Sequence, residues 1–282
     1  MPAPSLNPSS AVRTSNLWAI TLFLMLALVI CSTRAHSFEL DFSKEQKALI
    51  ANAGGFAVIT VWGVAFWDYG QRSLGFASEG WFGKGTKEGG ADKLGHLFST
   101  YAMTRGFAHI YTSWGYSHGQ AALFGTLSSV GLMAYGEFGD SFSRYGFSYE
   151  DLLMNFAGGL IGCLFFQHPG IADKLDLRWE YEPNLDECDV FTDYEHSKYL
   201  VALKLSGFER LRGTCLKYLE LQFGYYARGY SDDEPDRSRN IYGGIGINIA
   251  QILHDLDFKK ISVLFNYYQT PCTYVSYSHD LN

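Results

Sequence analysis

Between Leu49 and Phe166 the chain consists of four apolar, glycine-rich segments, Leu49–Trp67, Leu94–Tyr116, Gln120–Tyr135 and Leu152–Phe166. Their texture and length predict helices. The first has no charged residue, enough to cross a bilayer or to form a wholly buried helix. Small residues recur four apart at Gly125/Ser129 and Gly158/Gly162, a spacing that lets helix backbones approach closely. At the ends of the last three segments sits a sparse polar set: Asp92, Lys93 and His96, then Glu137 and Asp140, then Asp151 and Asn155. Ionisable groups in apolar helices are expensive to desolvate, so groups at this spacing are expected to meet at one site.

Composition points the same way. With 47% hydrophobic, 16% aromatic and only 18% charged residues, the chain is poorer in charge than the roughly 25% typical of soluble domains, and contact with a membrane is expected. A net charge of −7 with no basic patch excludes nucleic acid as the main partner.

The N-terminus reads as an export signal, with Arg13, an apolar run from Leu17 to Ile30 and small residues ending at Ala35. Such a run is shorter than the about 20 residues of a spanning helix and fits the roughly 7 to 15 of a signal core. Cleavage after Ala35 is the preferred reading. Leu28-Val29-Ile30-Cys31 also resembles a lipidation site, although Ile30 is bulkier than the small residue expected before the cysteine. Loss of residues 1–35 removes Arg13 and Arg34 and no acid, taking the net charge from −7 to −9. In an oxidising compartment two of Cys188, Cys215 and Cys272 can pair, while Cys163 reads as a small buried hydrophobe. There is no C-x-x-C motif.

After His168-Pro169 the pattern becomes alternation. Val201, Leu203 and Leu205 share one strand face, as do Leu219, Leu221, Phe223 and Tyr225, then Ile241, Ile245, Ile247 and Ile249, then Ile261, Val263, Phe265 and Tyr267. The acidic stretch Ser231–Asn240 reads as a hairpin loop, without the spacing of a calcium loop. A closed barrel in lipid needs at least about 8 strands. An antiparallel sheet of four to five strands packed by one face on the helices is therefore expected, because open edges are not tolerated in lipid. The predicted architecture is α+β: a signal peptide over 1–35, a helical membrane-associated domain over 36–168, and an antiparallel β extension over 169–282.

Asp92 and His96 are four apart, Glu137 and Asp140 three apart, Asp151 and Asn155 four apart, so each pair can face one point. His96 with Glu137, Asp140 and Asp151 is a plausible shell for a divalent metal ion and for acid/base hydrolysis with metal-bound water. Structural readings stand beside it. Asp92 can cap its helix after Gly89-Gly90-Ala91, Ser148-x-x-Asp151 resembles a capping box, Lys93 can neutralise a nearby acid, and Asn155 can bridge helices. The whole set then acts as a buried polar network that fixes helix packing. Gly80-Trp-Phe-Gly83-Lys84-Gly85-Thr86 lacks the order of a phosphate loop, and no G-x-S-x-G or G-x-G-x-x-G motif is present, so no nucleotide is expected. The aromatic stretch Phe76–Gly90 reads as a surface loop, with Trp81 and Phe82 suited to a membrane interface.

Gly89-Gly-Ala-Asp92-Lys93-Leu-Gly-His96, Glu137-Phe-Gly-Asp140 and Gly146-Phe-Ser148-Tyr-Glu-Asp151-Leu-Leu-Met-Asn155 resemble the YfiM-like family of predicted periplasmic lipoproteins. A more distant similarity is to VanZ-like membrane proteins, with a comparable D-K-x-x-H. The resemblance implies an envelope location and a helical membrane-associated unit, and no established activity. Two expectations remain. One is a noncatalytic envelope protein with membrane lipid or envelope components as partners. The other is a metal-dependent hydrolase or transferase acting on an envelope lipid or lipid-linked glycan.

Overall fold

Four long helices form where the apolar segments lie: α1 (Lys44–Phe66), α2 (Ala91–Ser113), α3 (His118–Asp140) and α4 (Tyr149–Gln167). The computed structural model describes residues 42–182, 190–230 and 236–282. The signal segment, Cys31, Cys188 and the acidic residues Asp232, Asp233 and Glu234 lie outside the described residues. Cys163, Cys215 and Cys272 are free.

Only Gly63 of the 23 residues of α1 is buried, which removes the wholly buried reading of this helix. Among the described residues it is the one helix long and apolar enough to cross a membrane. It leans on α3, where Leu132 packs over Gly55 and the Thr60 and Tyr135 hydroxyls meet at 2.8 Å.

Each remaining helix starts for a local reason. Gly89 and Gly90 enter α2 with φ of 61° and 90°, a left-handed turn that favours residues without a Cβ. Gly90 therefore takes the N-cap position. Asp92, expected as the cap, lies inside the first turn and accepts the Lys93 amide at 2.9 Å, where its charge also suits the helix dipole. Ser117 and Gln120 form a reciprocal capping box on α3. Ser148 caps α4 by accepting the Asp151 amide at 3.2 Å. The other half of the box expected there does not form, because the Asp151 carboxylate turns to Lys93.

Helix α2 lies at the centre, against α3 and α4 on one side and the sheet on the other. The small-residue spacings make this approach possible. Gly158 sits on the Leu97 carbonyl and Gly162 on that of Tyr101, while Gly125 faces the backbone of Thr104 and Ala108. A short parallel pairing of β1 (Phe76–Ala77) with β2 (Phe147–Ser148) ties the loop before α2 to the start of α4.

The C-terminal sheet has the order β3 (Leu175–Tyr181), β4 (Ser197–Lys204), β5 (Leu219–Arg228), β6 (Ser238–Ile247), β7 (Tyr274–Asp280), antiparallel throughout. The alternation at Ile261–Tyr267 does not make a strand. Residues 259–266 form helical turns, in which positions two apart do not share a face, and Ile261 and Val263 are half-exposed. Strands β3 and β7 take the remaining places. Strand β7 is exposed along nearly its whole length and carries only Val275 and Tyr277 as a spaced apolar pair, too weak a pattern to mark it. Leu205 and Ile249 fall beyond their strands, and the stretch read as a loop to Asn240 already pairs from Ser238.

The sheet's polarity is opposite to the expected one over most of its area. Strand register places Asp176, Arg178, Glu180, Lys204, Glu220 and Gln222 on one face, and all six are buried. Arg178 donates to Glu220 at 2.6 and 2.9 Å and to Asp176 at 3.1 Å. Lys204 reaches Asp176 at 2.9 Å and Lys198 reaches Glu180 at 2.7 Å. The opposite face packs on α2 only at its aromatic end, where Phe98 meets Trp179 and Tyr199 and the Tyr225 hydroxyl donates to the Gly89 carbonyl. Further along, Leu221, Phe223, Ile245 and Val275 are 46–83% exposed. Alternation marks two faces and is silent on which one is covered.

Gly158→Ala is expected to destabilise by about 1–3 kcal/mol, because the added methyl collides with backbone that cannot yield. Gly106→Ala, in an exposed stretch of α2 with open space around it, is expected to stabilise by about 0.4–1 kcal/mol. Denaturant unfolding of the two variants side by side checks the close approach of α2 and α4.

Candidate functional site

Tertiary packing brings together the start of α2, the end of α3 and the start of α4, and with them the polar set. Lys93 is 1% exposed, and its ammonium has Asp92 Oδ2 at 2.8 Å and Asp151 Oδ1 at 2.8 Å. A third carboxylate, Glu79, approaches to 2.6 Å from the loop before α2. Loop residue Glu79 has no helical spacing to the other members and is invisible to a spacing argument. Glu150, fully buried, fastens the same loop by accepting the Gly80 amide at 3.1 Å and the Ser148 hydroxyl at 3.2 Å.

One turn along α2, His96 Nδ1 lies 3.2 Å from Glu137 Oε1 and 3.2 Å from Asn155 Oδ1. The Asn155 oxygen also accepts from Thr100 at 3.0 Å. On the other edge of the ring, Nε2 is 4.0 Å from Asp151 Oδ2. Asp151 is thus shared by Lys93 and His96. The Asn155 amide nitrogen is buried with no hydrogen-bond partner among the described residues. Asp140 is half-buried at the end of α3, where its carbonyl accepts the amides of Ser143 and Gly146 at 2.9 and 3.0 Å.

Two sets of donor atoms lie within 4.8 Å of one another: His96, Glu137 and Asp151, and Glu79, Asp92 and Asp151. Asp140 is in neither. The second set already holds a cation, the Lys93 ammonium. The first has the residue types a divalent ion takes.

Acids outnumber bases here, and the titrations reflect it. Burial pushes the Glu137 carboxyl up to about 8, with His96 pulling it back and Asp151 and Asp140 adding to the rise. Burial likewise lifts Asp140 to about 7 and Asp92 to about 6, against the pull of His96 and Lys87 on the former and Lys93 on the latter. For Glu79, burial is outweighed by hydrogen bonds with Asp151 and Lys93 and by the Lys93 charge, which hold it down at about 2. Burial alone would lower His96, but Asp151, Glu137 and Asp92 outweigh it and raise its pKa. Glu137, Asp140 and Asp92 are therefore shifted towards holding their protons to higher pH than in water, and Glu79 the other way.

Residues 78–167 match the family model described as a predicted periplasmic lipoprotein (DUF2279). The match runs from the loop that carries Glu79 to the end of α4 and so contains every residue of this site, while the sheet lies beyond it. An exported, membrane-associated protein of the periplasm is what that description and the N-terminal reading share. No curated protein and no solved structure matches the chain.

The raised carboxyls set a pH dependence. A carboxyl whose folded pKa is about 8 against an ordinary 4.5 contributes stability that is complete below 4.5 and is lost as pH rises towards 8. Asp92 and Asp140 act with the same sign up to about 6 and about 7. The melting temperature of the wild type is expected to fall across this window, and Glu137→Gln to flatten the fall; thermal melts at stepped pH measure both.

Proposed function

We propose that the chain is a noncatalytic, membrane-associated protein of the bacterial envelope, in which the polar set locks three helices and a loop together and the apolar exterior meets lipid or other envelope components. The observation that carries this reading is Lys93. Its ammonium, buried and within 2.8 Å of three carboxylates from two helices and a loop, ties those three elements to one point and offsets part of their charge. A buried polar network whose members hold one another rigidifies and specifies one packing. The exterior supports the membrane half of the reading. Leu153, Phe156, Leu160 and Leu164 form an exposed stripe on α4, Leu123 and Leu127 another on α3, and the apolar face of the sheet adds a third surface. Large exposed apolar surfaces mark interaction sites.

A second reading is favoured by one observation: the His96, Glu137 and Asp151 donors lie within 4.8 Å of one another beside the unpartnered Asn155 amide. In it, these three residues would hold a divalent cation, which would supply activated water for hydrolysis, or Lewis-acid polarisation for group transfer, on an envelope lipid or lipid-linked glycan. Asn155, 3.2 Å from His96 Nδ1, would then orient the His96 ring.

Removing one partner of a buried ion cluster costs about 3–5 kcal/mol, so Lys93→Met is expected to lower thermal stability severely. His96→Ala and Glu137→Ala should lose stability and cellular function in parallel. Normal melting of Glu137→Ala with function abolished rejects the lock. The cation reading is checked by elemental analysis of purified protein, with bound metal in the wild type that is lost in Asp151→Asn as its expected result.

A further inference from the structure

The chain treats the two edges of its C-terminal sheet differently. Along β3, residues 267–269 lie over the edge. The Trp179 amide donates to the Tyr267 carbonyl and the Gln269 amide to the Trp179 carbonyl, both at 2.9 Å, and the Tyr268 hydroxyl donates to the Tyr181 carbonyl at 3.2 Å. Strand β7 has no such cover among the described residues. It pairs with β6 in one unbroken register from Gly246↔Tyr274 to Asn240↔Asp280, and every residue from Val275 to Asp280 is exposed. The last residues turn back towards β6, where the Leu281 amide donates to the Arg239 carbonyl and the Asn282 side chain to that of Arg237.

The ladder fixes which backbone groups are left over. The Ile247 amide donates to the Thr273 carbonyl and the Leu281 amide to the Arg239 carbonyl, so the odd-numbered residues of β7 bond to β6. Alternate residues of an antiparallel strand point their N–H and C=O to opposite sides. Tyr274, Ser276, Ser278 and Asp280 therefore direct theirs away from the sheet. Exposed edges are normally blunted by lysine, proline, a bulge or a very short strand. Strand β7, 7 residues long, has none of these.

We propose that β7 is the interface between two copies of this chain, paired edge to edge and antiparallel about a two-fold axis through Tyr277. Antiparallel self-pairing is isologous, one surface meeting itself, and main-chain hydrogen bonds supply its affinity. Tyr277 is the midpoint of Tyr274–Asp280, so this register uses the whole strand and joins outward residue to outward residue. Ser276 exchanges hydrogen bonds with the partner's Ser278, and Tyr274 with the partner's Asp280. Charge agrees with it. Like charges directly opposite would destabilise the pair, but Asp280, the strand's one carboxylate, meets a tyrosine, and His279 lies opposite the partner's Val275. Val275 is the cross-strand neighbour of Ile245 on the exposed apolar face, so pairing makes that face continuous across both copies. Because β3 is covered, pairing at β7 consumes the sheet's remaining edge and assembly stops at two. The inference goes beyond the role of the polar set and does not depend on it.

Sedimentation of the full chain in mild detergent, over a range of protein concentrations, tests this, and a dimer is expected. Ser276→Pro removes an outward N–H and leaves the ladder to β6 intact, so it should shift the protein to monomer with little change in melting. Tyr277→Lys, at a position 79% exposed, sets two ammonium groups against each other on the axis and should do the same; it decides the matter if the proline variant melts early. Cross-linking fixes the register, in a background lacking the exposed Cys215 and Cys272. Tyr277→Cys should give a disulfide-linked dimer under oxidising conditions, because a non-hydrogen-bonded antiparallel pair brings Cα atoms to about 4.5 Å, within reach of a disulfide. Val275→Cys, two residues off the axis, should not. A wild type that stays monomeric overturns the proposal. So does a dimer that survives both Ser276→Pro and Tyr277→Lys with unchanged melting, or equal linking through Val275→Cys and Tyr277→Cys.

Discussion

One buried ammonium group organises the helical part of this protein. Lys93 draws in Asp92 from its own helix, Asp151 from α4 and Glu79 from the preceding loop. A buried carboxylate without a paired cation is costly to keep charged. Because Asp151 also faces His96, and His96 reaches Glu137 on α3 and Asn155 on α4, one chain of contacts spans three helices. Glycine makes those contacts reachable. With Gly158 and Gly162 against the backbone of α2, the polar ends of the helices come within ion-pair distance; larger residues would hold them apart.

The sheet follows the same logic in a different geometry. Its covered face pairs Arg178, Lys198 and Lys204 with Glu220, Glu180 and Asp176, while much of its apolar face is left outside. In water such an arrangement sacrifices the hydrophobic stabilisation that most sheets rely on. Next to an apolar medium it does not, and this is why the exposed face, the stripes on α3 and α4, and the long apolar α1 belong to one physical account. Charge is gathered inside, and apolar surface is left outside.

Helix positions were legible because apolar stretches of helical length, glycine spacing and a start signal at Ser148 agree, with Gly89-Gly90 marking the entry to α2. The convergence of Asp92, Lys93, His96, Glu137, Asp151 and Asn155 was legible for a related reason, since lone polar groups in apolar helices have few places to go. Glu79 was not, because a loop residue carries no period. Strand β7 was missed because serines occupy its alternate positions, and Ile261–Tyr267 misled because alternation in a helical turn is accidental.

What the sequence determined by itself is local and periodic: where helices begin, which residues can touch across them, and that the chain is to be exported. What only the tertiary structure decided is which side of each element is the inside. Alternation divides a strand into two faces without naming the covered one, and helical spacing gathers acids without saying that a lysine stands among them. Those outcomes depend on contacts between residues far apart in the chain, and no local pattern encodes them.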